Sequence, residues 1–175
     1  MLVYFYFSFQ DTQKQKVAHL LRSILSQLVC QAECIPDPVI TLYDNYLHSQ
    51  PPTDRLLSAI KCMANGHKNT FLIIDALDEC PNQNAERSDL CNVLREIKEW
   101  AASNLHVLVT SRRYVDLVES LDPLFDSISI QGPEVQSDIR RFIRSELSKN
   151  KRLSTWPADI RNEMERTLVQ GANGM

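Results

Sequence analysis

Three carboxylates, Asp75, Asp78 and Glu79, stand directly after the apolar run Phe71-Leu72-Ile73-Ile74. A run of this kind reads as a buried parallel strand, and ligands of open α/β sheets bind outside the carboxyl ends of such strands. An aspartate at that place, Asp75, can hold Mg²⁺, usually through water, while the ion grips nucleotide phosphates. Asp78 and Glu79, three and four residues on, can orient or activate an attacking water. A second apolar run, Leu105 to Val109, ends in Thr110-Ser111-Arg112-Arg113. A guanidinium at that sheet edge can contact a γ-phosphate and report its presence. Either strand end alone could be a solvated turn or a surface arginine pair. The two together, in this order, point to a phosphate site.

These residues need a sheet to align them, and the hydrophobic pattern supplies one. Leu2 to Phe9 is β-branched and aromatic, and reads as a strand buried on both faces. Val17, Leu20, Leu21, Ile24, Leu25 and Leu28 form a helical stripe ended by Pro36 and Pro38. A shorter helix over Val39 to Leu47 stops at Pro51-Pro52. Thr53 caps the next, whose Leu56, Leu57, Ile60 and Met63 face inward and which Asn65-Gly66 closes. Ala85 to Ala102 is a helix with Leu90, Val93, Leu94, Ile97 and Trp100 inward. A short helix from Tyr114 to Leu121 and a strand from Ser127 to Ile130 follow. The order β-α-α-α-β-α-β-α-β predicts an α/β domain with a parallel sheet. After Gly132-Pro133 come two amphipathic helices, Val135 to Lys149 and Pro157 to Gln170, with no strand between them. The expected organisation is an α/β domain over 1–132 and the beginning of a helical subdomain over 133–175, where Gly171 to Met175 reads as a helix-ending signal.

Composition removes several function classes. Of the 175 residues, 19 are basic and 22 acidic, a net charge of -3, which is not the basic stripe of a nucleic-acid reader. No run of about eighteen apolar residues could span a membrane, and the first residues lack the features of a signal peptide. Cys30, Cys34, Cys62, Cys80 and Cys91 are scattered, with no C-x-x-C, which suits small apolar core residues in a reducing, cytoplasmic setting. The Cys30/Cys34 pair, at i, i+4, is expected only to pack. His19, His48, His67 and His106 have no metal-ligand spacing, and Ser111 has no G-x-S-x-G context.

With these residues in view, FLIIDALDEC resembles the Walker B segment of NACHT (STAND-type) signalling NTPases, in which two acids follow the magnesium aspartate. LHVLVTSRR resembles that group's sensor strand. FYFSFQDTQKQKVAHLLRSILSQL resembles the second strand and helix of its nephrocystin-3 N-terminal-like members, common in fungal NLR-like proteins. The resemblance implies a P-loop NTPase fold, with Asp75 as the magnesium aspartate and Asp78 and Glu79 polarising water. It implies Arg112 as the sensor arginine, with Arg113 as its substitute and Ser111 beside it. It further implies Mg²⁺ with ATP or GTP, neighbouring effector and repeat domains, self-association on activation, and a switch role in innate-immunity or heterokaryon-incompatibility-like receptors.

One part of that pattern is not in the chain. The only glycines are Gly66, Gly132, Gly171 and Gly174, and none belongs to a G-x-x-x-x-G-K-S/T phosphate loop. The resemblance implies a sheet order 2-3-4-1-5 from which strand 1 is missing. Three strands should then remain neighbours, the fifth should be separated from them, and an apolar edge should be bare. A chain without the positioning loop is expected to hold Mg²⁺ weakly and not to hydrolyse ATP or GTP at a useful rate. The alternative expectation is a non-catalytic module that docks on a full-length family member through this edge.

Overall fold

The computed structural model describes residues 1–100, 104–130 and 132–172. They divide into two compact units, Met1–Phe125 and the segment from Asp126 onward.

The first unit holds three parallel strands, β1 (Leu2–Tyr6), β2 (Thr70–Asp75) and β3 (Leu105–Val109), in the order β1-β2-β3. The register pairs Tyr4 with Ile73 and Tyr6 with Asp75 on one side, and Ile73 with Leu108 on the other. Helices α1 (Val17–Gln31), α2 (Asp37–Asn45), α3 (Thr53–Asn65), α4 (Glu86–Glu99) and α5 (Val115–Leu121) complete the unit. One core joins Val3, Phe5, Phe7, Leu72 and Ile74 from the strand segments to Leu20, Leu21, Ile24, Leu57, Met63, Leu90 and Leu94 from the helices. The inward stripes expected for α1, α3 and α4 are buried, apart from Leu25 and Trp100, which are half-buried.

Several sequence expectations need correction. The first strand ends at Tyr6 and is buried on one face only: Val3 and Phe5 are inside, while Leu2, Tyr4 and Tyr6 are exposed. On the same side of the sheet lie Phe71, His106 and Leu108, all exposed, with Phe71 and His106 stacked at 4.8 Å. An apolar run identifies a strand, but it does not say which faces have helices to cover them. Thr53 is the first residue of α3 rather than its cap, because Pro52 takes the N-cap place. Gly66 closes that helix with a right-handed φ of -73°. Ser127 to Ile130 is irregular, with Ile128 and Ile130 exposed, so the sheet has three strands among the described residues. Cys30 is exposed on α1, and Cys34 is exposed beyond the helix end, so the two do not pack into the core.

The two edges of the sheet are finished differently. Gln31 and Gln27, one helical turn apart on α1, act as a substitute strand along β1. Gln31 Oε1 accepts from Leu2 N–H at 3.2 Å and its Nε2 donates to Leu2 O at 2.8 Å. Gln27 does the same for Tyr4, at 3.0 and 2.7 Å. Four helical residues rise about 6 Å and two strand residues span about 6.6 Å, so the spacings match. At β3, Thr110 N–H donates to Ile74 O and Thr70 N–H to Asn104 O. By alternation, Leu105, Val107 and Val109 turn their amides away from β2, and among the described residues no strand pairs with that edge.

From Asp126 onward the described residues form two helices, α6 (Pro133–Lys149) and α7 (Ala158–Ala172). Leu147 and Val169 are buried, and Glu165 pairs with Arg140 and Arg144. The sequence features at 101–103 and 173–175 lie outside the described residues. Among the described residues no helix is long and apolar enough to cross a membrane.

Candidate functional site

The three strands end side by side, which places their carboxyl-terminal loops along one sheet edge. The ladder continues past them. Phe7 N–H donates to Asp75 O at 3.0 Å, and Leu77 N–H donates to Thr110 O at 3.0 Å. Between them the chain reverses at Ala76, which adopts a left-handed conformation with φ 57° and ψ 49°. A non-glycine residue seldom takes this conformation, and here it ends β2 after Asp75 and starts the 3₁₀ turn Leu77–Glu79.

The acids have separate partners. Asp75 is exposed and accepts a hydrogen bond from the Thr110 hydroxyl, whose oxygen also accepts from Ala76 N–H at 3.0 Å. Asp78 faces the next strand's loop: its Oδ1 accepts from Arg112 N–H at 3.1 Å, and its Oδ2 lies 3.5 Å from Arg112 Nε. Its side chain is 8% exposed, against 68% for Arg112, so a nearly buried carboxylate holds a solvent-facing cation. Glu79 turns the other way, and its Oε2 accepts from Phe9 N–H at 3.0 Å in the loop after β1.

Thus Asp75, Asp78 and Arg112 are brought together, directly or through Thr110. Glu79 is tied to the far loop, and Ser111 donates to Arg112 O at 2.7 Å without reaching the acids. Of the two adjacent arginines, Arg112 meets the acidic turn, while Arg113 pairs with Asp122 at 3.6 Å. In the sequence Thr110 is only one of four polar residues after its strand, with no sign that its hydroxyl meets Asp75, and Arg87 is not marked at all. Nothing in the spacing marks Arg87, which resembles any charged residue in the first turn of a helix. Near the same edge Lys14 sits 3.4 Å from the Tyr6 ring centre.

Cys80 closes the turn but offers no nucleophile. Its thiol is fully buried, and burial first, then the Glu86 carboxylate, pushes its pKa up to about 12. Among the described residues no group of three His, Cys, Asp or Glu is placed to hold a metal ion. The donor set is the exposed Asp75 carboxylate with the Thr110 hydroxyl bonded to it. That fits Mg²⁺ only as the ion behaves in nucleotide sites, keeping most of its waters and leaning on substrate phosphates.

The arrangement is a three-stranded parallel sheet with polar loops gathered at its carboxyl edge. Residues 1–112, more than half of the chain, match the family described as nephrocystin 3, N-terminal. The chain belongs to that family. The match ends at Arg112, so it contains both strand ends that carry the site. No curated protein and no solved structure matches the chain.

Proposed function

We propose that this chain carries the metal aspartate and the phosphate-sensing arginine of a NACHT-type nucleoside-triphosphate switch, acting in the cytoplasm within a multidomain receptor. The observation that carries the reading is the placing of Asp75 and Arg112 at one sheet edge, joined through Thr110 and the acidic turn. Asp75 and Thr110 would hold a hydrated Mg²⁺, which supplies charge neutralisation on β- and γ-phosphate oxygens. Arg112 is exposed enough to exchange its partner Asp78 for a phosphate oxygen. Such an exchange would favour one conformation over another only by the difference in its contacts between them. Ser111 and Glu79 are the weaker members of the site, since the first bonds within its own loop and the second holds Phe9. The phosphate grip itself is not among these residues and would come from another segment.

The test is the native transcript, read at its 5′ end, followed by assays of whatever it encodes. A frame that places G-x-x-x-x-G-K-S/T about 20–30 residues ahead of Met1 should give a protein whose hydrolysis is lost in Asp75→Asn and in Arg112→Ala. The 175-residue chain alone should release no phosphate from ATP or GTP. Phosphate release by this chain that disappears in Asp75→Asn overturns that expectation.

A second reading is a non-catalytic module that docks on a full-length family member. What favours it is the contrast between the two sheet edges, one closed by Gln27 and Gln31 and one with outward amides. Binding measured between the folded chain and such a relative should then vanish when Val107 is replaced by proline, which removes an outward donor. Binding that survives Val107→Pro sinks this reading.

A further inference from the structure

Arg87 is the second residue of α4, and its guanidinium is almost fully used. Nε donates to Cys80 O at 3.0 Å. One terminal nitrogen donates to Cys80 O at 2.8 Å and to Asp78 O at 2.7 Å. The other donates to Asp116 Oδ2 at 3.0 Å, and the group lies 5.6 Å from the Tyr114 ring centre. The side chain is 13% exposed. The hydrogen bond from Arg87 holds the Asp116 carboxyl below the usual carboxylate range.

The acceptors lie on two segments that must agree with each other. Carbonyls at the end of a one-turn helix have no partner inside it, and those of Asp78 and Cys80 take theirs from Arg87. Asp116 is in the first turn of α5, four residues after Arg112. Asp78 therefore has an arginine on each side: Arg87 on its carbonyl and Arg112 on its carboxylate. The geometry points to Arg87 as the positioning residue of this site, holding the acidic turn and the arginine loop in one arrangement so that Asp78 and Arg112 act as a unit. The inference rests on the proposed function for what the two residues serve, and on this geometry alone for what holds them. A lysine cannot replace the fork, because an ammonium is a compact charge that does not span acceptors on both segments in one plane.

Amide hydrogen exchange on the 175-residue chain tests it. Arg112 N–H donates to Asp78 and reports the joined arrangement, while Thr110 N–H, two residues earlier, donates to Ile74 and reports the sheet. Arg87→Lys should speed exchange at Arg112 by about tenfold, the loss of one charge-assisted hydrogen bond, with Thr110 and the α1 amides unchanged. Asp116→Asn, at an exposed member of the pair, should speed the same amide to a smaller extent. It keeps the test open if Arg87→Lys fails to fold. Equal acceleration across β2 and α1 would reduce Arg87 to a contributor to overall stability and overturn the proposal. So would an unchanged Arg112 amide in both variants. The nucleotide reading fails separately, if Asp75→Asn leaves hydrolysis by the loop-bearing protein intact, and the exchange result would stand.

Discussion

Replacing Leu77 with alanine should destabilise the chain by about 3 kcal/mol, within the range for a fully buried leucine. Leu77 is the apolar residue between Asp75 and the acid pair Asp78 and Glu79, and it is 0% exposed. Its side chain belongs to the main core, with Ile74, Leu90 and Leu117. It thus anchors to the core the turn that carries Asp78 and Glu79. The anchoring explains why an apolar residue stands inside an otherwise acidic stretch: it adds core burial to the polar contacts that Arg112, Arg87 and Phe9 make with the turn. Urea unfolding at constant slope checks the value, with Leu47→Ala as the control, since Leu47 is 55% exposed. A loss below about 1 kcal/mol would mean that the turn is not held by the core. Because Asp78 reaches Arg112 from this turn, the same variant should weaken the pair without touching either residue.

The second large effect concerns association rather than unfolding. Gln27→Ala combined with Gln31→Ala should turn the chain into a concentration-dependent oligomer or aggregate. The four hydrogen bonds they make to Leu2 and Tyr4 are solvent-exposed, so their loss costs little stability by itself. What changes is the edge. β1 would present free amides beside exposed Leu2, Tyr4 and Tyr6, a flat apolar strand of the kind that pairs with other chains. Sedimentation across a range of concentrations reads this out. A double variant that sediments like the parent shows that the glutamines are not what protects the edge. A single substitution should have a partial effect, because each glutamine covers one residue's donor and acceptor.

The remaining expectations differ in how far the sequence alone could carry them. Helical stripes such as Leu20, Leu21, Ile24 and Leu28 are local patterns, and local patterns survive into the fold because a 3.6-residue period has one use. The strands at Thr70–Asp75 and Leu105–Val109 were legible for the same reason, as were the acids and arginines that end them. The open face of the sheet was not legible. Phe71 and Leu108 are as apolar as Leu72 and Ile74, and only the placing of α1, α3 and α4 in one core with Leu72 and Ile74 separates exposed from buried. Ser127 to Ile130 has β-type residues, yet forms no strand, because a strand needs a neighbour as well as a propensity. The expectation that three strands remain neighbours agrees with the observed order, whereas the expected fifth strand does not form among the described residues.

The sequence by itself determined the class of fold, the family, and which residue types stand at the carboxyl ends of the strands, since each of these depends on short-range order along the chain. Tertiary structure decided which of those residues meet. It chose Arg112 over Arg113, sent Glu79 to Phe9 while Asp78 turned to Arg112, and recruited Thr110 and Arg87. These choices depend on the left-handed turn at Ala76 and on the register of β2 against β3. The contacts of Asp78 with Arg112, Asp75 with Thr110 and Glu79 with Phe9 join residues more than thirty positions apart; these are fixed by packing, and no spacing along the chain encodes them.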